Sequence, residues 1–209
     1  SGGQAEVTFN ATNGVQTIAA TINGGGTGQG KLIVIDDDND NDAITFTGNV
    51  GATNSLLAIE IGSTTEASSA VFSGTTAATT ITLQGGNEAN ETALATFNGA
   101  VNATTFALVG GGNATAAATA TVTANLTTTA ITLDDDASGA QAGLTVNSTN
   151  GAITVAGTIN GVGGAEGDLI IIDDDAGAAG DLVTVSGIVG GSAGLDTIQV
   201  GSAAGTDAG

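Results

Sequence analysis

The strongest constraint in this sequence is that it repeats itself. Residues 7–38, VTFNATNGVQTIAATINGGGTGQGKLIVIDDD, return at 144–175 as LTVNSTNGAITVAGTINGVGGAEGDLIIIDDD, an offset of 137 with about 19 of 32 positions identical. After a two-residue shift, DAITFTGNVG from Asp42 matches DLVTVSGIVG from Asp181, and IEIGS from Ile59 matches IQVGS from Ile198. The long repeat therefore covers 7–63 and 144–202. Weaker copies of the same plan begin at Ile81 and Ile131. Self-similarity over such distances marks stacked units that bury one another's faces. We read residues 1–209 as a single elongated repeat domain.

Within each unit the apolar period is two. Ile44/Phe46, Leu57/Ile59/Ile61, Ile81/Leu83, Phe106/Leu108, Ile131/Leu133, Leu144/Val146, Ile153/Val155 and Val183/Val185 alternate with polar or small residues. Such alternation puts one side of a strand inward and the other toward solvent. Strand centres recur every 12 or 13 residues, separated by the turn formers Gly, Asn, Asp and Ser. The Ala/Thr stretch from Ala114 to Ala124 also reads as strand, because its threonines alternate. The fold class is all-β, and small corner residues without proline favour a repetitive parallel β-solenoid, or β-helix. Asn-Gly pairs at Asn13, Asn23, Asn98, Asn150 and Asn160 keep open an antiparallel β-sandwich of the fibre-forming type, since Asn-Gly is the preferred hairpin turn.

What the chain lacks bounds its chemistry. It has no His, Cys, Met, Trp, Tyr or Pro, one lysine, no arginine, and a net charge of -20. Imidazole bases, thiolate nucleophiles, Cys/His zinc sites and guanidinium clamps are excluded. Nucleic acid is excluded as a partner, because its recognition depends on cations near phosphates. No apolar run approaches the length of a membrane helix; the longest, Leu32 to Ile35, is echoed by Leu169 to Ile172. Paired carboxylates would suffice for a glycosidase, yet the five Phe are the only aromatics and occupy core-type positions. Lys31 stands beside the first acidic cluster, and Asp168 takes its place in the second copy, so the repeat does not need an amine there. The expectation is a protein that is not an enzyme.

The acidic residues gather in three knots, each after an apolar strand. Asp36, Asp37, Asp38, Asp40 and Asp42 form the first, Asp134, Asp135 and Asp136 the second, and Asp173, Asp174 and Asp175 the third. Carboxylates this close repel one another unless a cation or solvent screens them. Calcium, a hard cation that takes six to eight oxygen ligands, suits them; solvated turns that keep a β-protein soluble are the alternative. Asn-x-Ser/Thr sequons at Asn10, Asn90, Asn102, Asn113, Asn125 and Asn147 are candidate glycan sites in a host that uses them.

GSAGLDTIQ from Gly191, which contains Asp196, resembles the calcium-binding nonapeptide of RTX proteins, and GGAEGDLI from Gly163 is a looser likeness. That resemblance adds Asp196 to the candidate calcium ligands. ATFNGAV from Ala95, AITFTGNVG from Ala43 and AITVAGTING from Ala152 resemble repeats of bacterial and archaeal surface-layer, adhesin and autotransporter-passenger proteins. The likeness implies a secreted β-solenoid or related fibre at the cell surface, with no catalytic residues to transfer. A start at Ser1, without Met or an apolar leader, fits a mature or trimmed product. The expected function is a structural subunit of an extracellular layer, sheath or fibre that assembles head to tail with itself, stabilised by Ca2+. The alternative is a calcium-dependent adhesin segment of a larger secreted protein.

Overall fold

The computed structural model describes residues 4–12, 14–37, 42–136, 139–149, 151–173 and 181–201. Its strands follow in chain order as β1 (Glu6–Asn10), β2 (Gln16–Ile18), β3 (Lys31–Ile35), β4 (Ala43–Phe46), β5 (Leu56–Ile61), β6 (Ser68–Phe72), β7 (Thr76–Gln84) and β8 (Ala93–Phe97). The second half continues with β9 (Val101–Val109), β10 (Ala118–Val122), β11 (Leu126–Asp134), β12 (Ala142–Asn147), β13 (Ile153–Gly161), β14 (Asp168–Ile172), β15 (Val183–Val185) and β16 (Thr197–Val200). All odd-numbered strands form one eight-stranded sheet and all even-numbered strands the other, each in sequence order. Every ladder between these strands is parallel. The protein is a two-sheet parallel β-solenoid, and the antiparallel sandwich is ruled out.

Alternation explains how the core fills. In β10, Ala118, Ala120 and Val122 point inward and are fully or almost fully buried, with Thr119 and Thr121 facing outward. In-register stacking then turns each inward position into a column. Ala70, Ala95 and Ala120 make one column of small side chains in the even sheet. Phe46, Phe72 and Phe97 make the next, as a stack with ring centroids 5.0 and 4.9 Å apart and planes within 10°. Phe9 and Phe106, from the odd sheet, close the stack at its two ends with edge-on contacts at 5.4 and 5.6 Å. The five phenylalanines are thus one internal spine, which accounts for their place at core-type positions. Small columns let the chain turn tightly. A Cβ on Gly99 would lie 2.4 Å from the Gly74 carbonyl of the turn below, closer than any side chain permits.

Two of the Asn-Gly pairs that suggested hairpins, those of Asn23 and Asn160, serve a different purpose, which Asn49 and Asn125 share although no glycine follows them. Asn13 and Asn150 lie outside the described residues. The Asn23 carboxamide oxygen accepts the N–H of Thr53 at 3.1 Å, Asn49 that of Thr75 at 2.9 Å, Asn125 that of Thr154 at 2.8 Å and Asn160 that of Ser192 at 3.0 Å. Each bond runs from a turn to the backbone of the next turn. Corner N–H groups that no ladder serves are satisfied in this way.

The long repeat has an unforeseen geometry. Val7 in β1 corresponds to Leu144 in β12, eleven strands later. The duplication therefore spans five and a half turns, and the second copy is rotated by half a turn about the solenoid axis. Segments in the odd sheet recur in the even sheet and the reverse. Backbone bonds repeat faithfully across this relation: Ala11 N–H to Ile35 O returns as Ser148 to Ile172, Thr47 to Ile18 as Ser186 to Val155, and Gly62 to Val34 as Gly201 to Ile171. Even the unusual dihedrals return, with φ of 84° at Gly30 and 80° at Gly167, and 71° at Gly28 against 53° at Ala165. Both sheets bury alternate residues against the same core, so one sequence fits either.

Candidate functional site

The acidic knots sit on the connections between sheets. The first two follow β3 and β11 on the odd-to-even edge. The third follows β14 and lies on the opposite edge, as the half-turn relation requires. Asp38, Asp40, Asp174 and Asp175 lie outside the described residues.

Three of the described knot carboxylates, those of Asp36, Asp135 and Asp173, have a common task. Buried Asp36 accepts the N–H of Asp42 through Oδ2 at 3.1 Å, just before β4. Its counterpart Asp173 accepts the N–H of Asp181 at 3.1 Å, ahead of β15. Asp135 accepts the N–H of Ala142, the first residue of β12, at 2.6 Å. Its other oxygen takes the N–H of Gly167, one turn further on, at 2.9 Å. These three carboxylates therefore close the corner loops, holding backbone donors at the entry to the next strand with charge-assisted bonds. Among the others, Asp136 donates its N–H to Ala140 O and accepts that of Gly139, while exposed Asp196 donates its N–H to Gly167 O.

Two glutamates that sequence reasoning missed do the same work. The buried Glu91 accepts the N–H of Glu88 at 2.8 Å, and Glu166 accepts that of Gly163 at 2.5 Å. The signal was a Glu three residues after the donor in a Gly/Asn-rich turn, a pattern similar to local helix caps.

The acids also sense one another along the odd-to-even edge. Partial burial pushes the Glu66 carboxyl above its ordinary range, and the charges of Asp37 and Glu91 add to that. Asp134 is raised for similar reasons, burial first, then Glu166, Asp136 and Asp135. Asp37 moves the other way, held down chiefly by the Thr12 hydroxyl, which donates to it at 2.8 Å, and by Asn10. Among the described residues no three carboxylates converge on a position suited to a metal ion.

A raised folded-state value means that ionised Asp134 opposes folding at neutral pH, a cost absent once both states are protonated. Asp134→Asn should therefore unfold at higher urea than the parent at about pH 7, with the advantage gone at about pH 3, below the ordinary carboxylate range. Urea titrations followed by circular dichroism check this. An advantage independent of pH would refute the electrostatic account.

Lys31, the single cation, lies 2.7 Å from Glu60 and 3.8 Å from Glu6 on the neighbouring strands. Its pKa is raised, chiefly by the bond to Glu60, whereas an amine acting as a base needs a lowered one. It lines a cleft of about 560 Å3 at the first turn with Gln4, Glu6, Asn23, Gln29 and Leu56.

Of the sequons, Asn10, Asn113, Asn125 and Asn147 already use their carboxamide oxygens as acceptors. Asn102 stands exposed on β9, and Asn90 is exposed with φ of 69°. No described helix is long and apolar enough to cross a membrane. Compared with protein-family models, curated proteins and solved structures, the chain matches none.

Proposed function

We propose that the chain is a non-enzymatic structural subunit of an extracellular layer, sheath or fibre, assembling head to tail with further copies of itself. The distribution of exposed apolar side chains carries this reading. Among the described residues nine large hydrophobics are exposed, and six of them, Val7, Val15, Leu182, Ile188, Ile198 and Val200, belong to the first or last turn. At the same places each sheet ends in an edge strand. Edge strands of this kind are normally blunted by charge, proline or a covering element, because they template pairing with another chain. A solenoid whose side is threonine-rich and acidic, but whose ends are apolar, is suited to growth along its axis.

Calcium belongs to this reading as the counterion of the acidic edges, where Glu66 and Asp134 are held above their ordinary range first by partial burial and then by neighbouring charge. A net charge of -20 on each copy opposes association until salt or a divalent cation screens it. A single lysine and no arginine give trypsin one cleavage site, which suits a surface exposed to proteases.

Electron microscopy of the purified chain in millimolar Ca2+, and again in excess chelator, tests the proposal. Filaments or sheets that dissolve on chelation are expected. Filaments indifferent to chelator would keep the polymer and remove calcium from it. Monodisperse particles in both conditions would overturn self-assembly and favour a segment of a larger adhesin.

A further inference from the structure

The half-turn duplication shows what each end of the solenoid is built to meet. The last turn, β15 and β16, corresponds to the internal turn formed by β4 and β5. Val185 occupies the place of Phe46 and Ile198 the place of Ile59, with the same spacing of thirteen residues in both. Inside the molecule that turn is covered by β6 and β7, where Phe46 pairs with Phe72 and Ile59 with Ile81. The covering residues, Phe72 and Ile81, are nine apart. The first turn of the chain carries the same pair at the same spacing, Phe9 in β1 and Ile18 in β2. Each is only partly buried and packs against the core from one side. The chain therefore has at one end a surface like that of an internal turn, and at the other a cover like the one that turn receives.

From this we infer that a second copy of the chain seats its first turn on the last turn of the copy below, with β1 beside β15 and β2 beside β16, Phe9 against Val185 and Ile18 against Ile198. The odd sheet then continues into the odd sheet and the even into the even, all strands parallel. This register rests on the head-to-tail reading above and sharpens it to single residues. Val7 lies over Val183 in the same register, and Thr8 beside Thr184 on the outer face. A slip by one residue would turn every inward side chain to the opposite face.

The absence of cysteine from the chain makes the register directly readable. Neighbouring strands lie about 4.8 Å apart, within the Cα separation of about 4.4–6.8 Å that a disulfide needs. Within one copy Thr8 and Thr184 are seven strand spacings apart, about 33 Å, so they cannot close on themselves. Thr8 and Thr184 are both exposed, so their replacement leaves the core intact. The double variant Thr8→Cys/Thr184→Cys, oxidised in about 1 M NaCl to screen the acidic charge, is expected to give a ladder of dimers, trimers and longer chains on non-reducing gels. Each single variant should stop at dimers. The slipped pair Thr8→Cys/Val185→Cys should give no ladder. If the slipped pair cross-links, or if filaments form in the microscope while the in-register pair stays unlinked, the register is wrong and the polymer stands. Neither filaments nor ladder would overturn both.

Discussion

Replacing Phe72 with alanine should lower the unfolding free energy by about 3–5 kcal/mol, the range for emptying a buried aromatic site. Phe72 is 1% exposed and lies between the parallel rings of Phe46 and Phe97, so the cavity would interrupt the spine at its centre. In a solenoid each turn contacts only its neighbours, and stability is the sum of turn and interface terms. Phe72 contributes to two such interfaces at once. Phe9, whose one ring contact is Phe46 and which is partly exposed at the end of the stack, should cost less than half as much when replaced by alanine. Tyrosine and tryptophan are absent, so urea titrations followed by far-UV circular dichroism are the appropriate measurement. Equal losses at Phe72 and Phe9 would show that the spine does not couple the turns.

The residues that made the fold legible are those with a strict period. Alternation in segments such as Ile81/Leu83 and Ile131/Leu133 exposes strand and core face directly, because a side chain's face depends only on odd or even position. The half-turn relation was hidden, because turn length varies. Thr76 and Val101 pair across 25 residues, but Leu126 and Val155 across 29. An offset of 137 therefore does not divide visibly into turns. The Asn columns did leave a trace. Asn23 and Asn49 are 26 residues apart and Asn98 and Asn125 are 27 apart, close to one turn, which a hairpin reading does not require. At the candidate site, placing Asp36, Asp135 and Asp173 at strand ends follows from the apolar run before each. Their carboxylates cap backbone N–H groups six to eight residues ahead, and that depends on the path of the loop. Composition alone does not separate this role from cation binding, since both need an oxygen acceptor at a turn.

The sharpest contrast between turns inside the solenoid and turns at its end should come from two equivalent glycines. Gly51 has φ of 73°, and Gly190, its counterpart in the long repeat, has φ of 68°. Alanine in this left-handed region costs about 1–2 kcal/mol at either position. What differs is the next turn. A Cβ on Gly51 would lie 1.9 Å from the Ala77 carbonyl oxygen, a backbone atom held by its own ladder. A Cβ on Gly190 meets nothing nearer than 3.6 Å, because among the described residues no turn lies above it. Gly51→Ala must therefore push two turns apart as well as strain its own backbone, adding about 1–3 kcal/mol of overpacking. It should lose about 2–5 kcal/mol in total, against about 1–2 kcal/mol for Gly190→Ala in the isolated chain. Urea unfolding of the two variants, side by side, measures the difference. If the losses match, backbone strain alone sets the cost and the close approach between turns is not tight. If they differ as expected, Gly190→Ala becomes a folded subunit with a methyl group where the next copy's backbone would have to lie, and it should fail to extend under conditions in which the parent chain forms filaments.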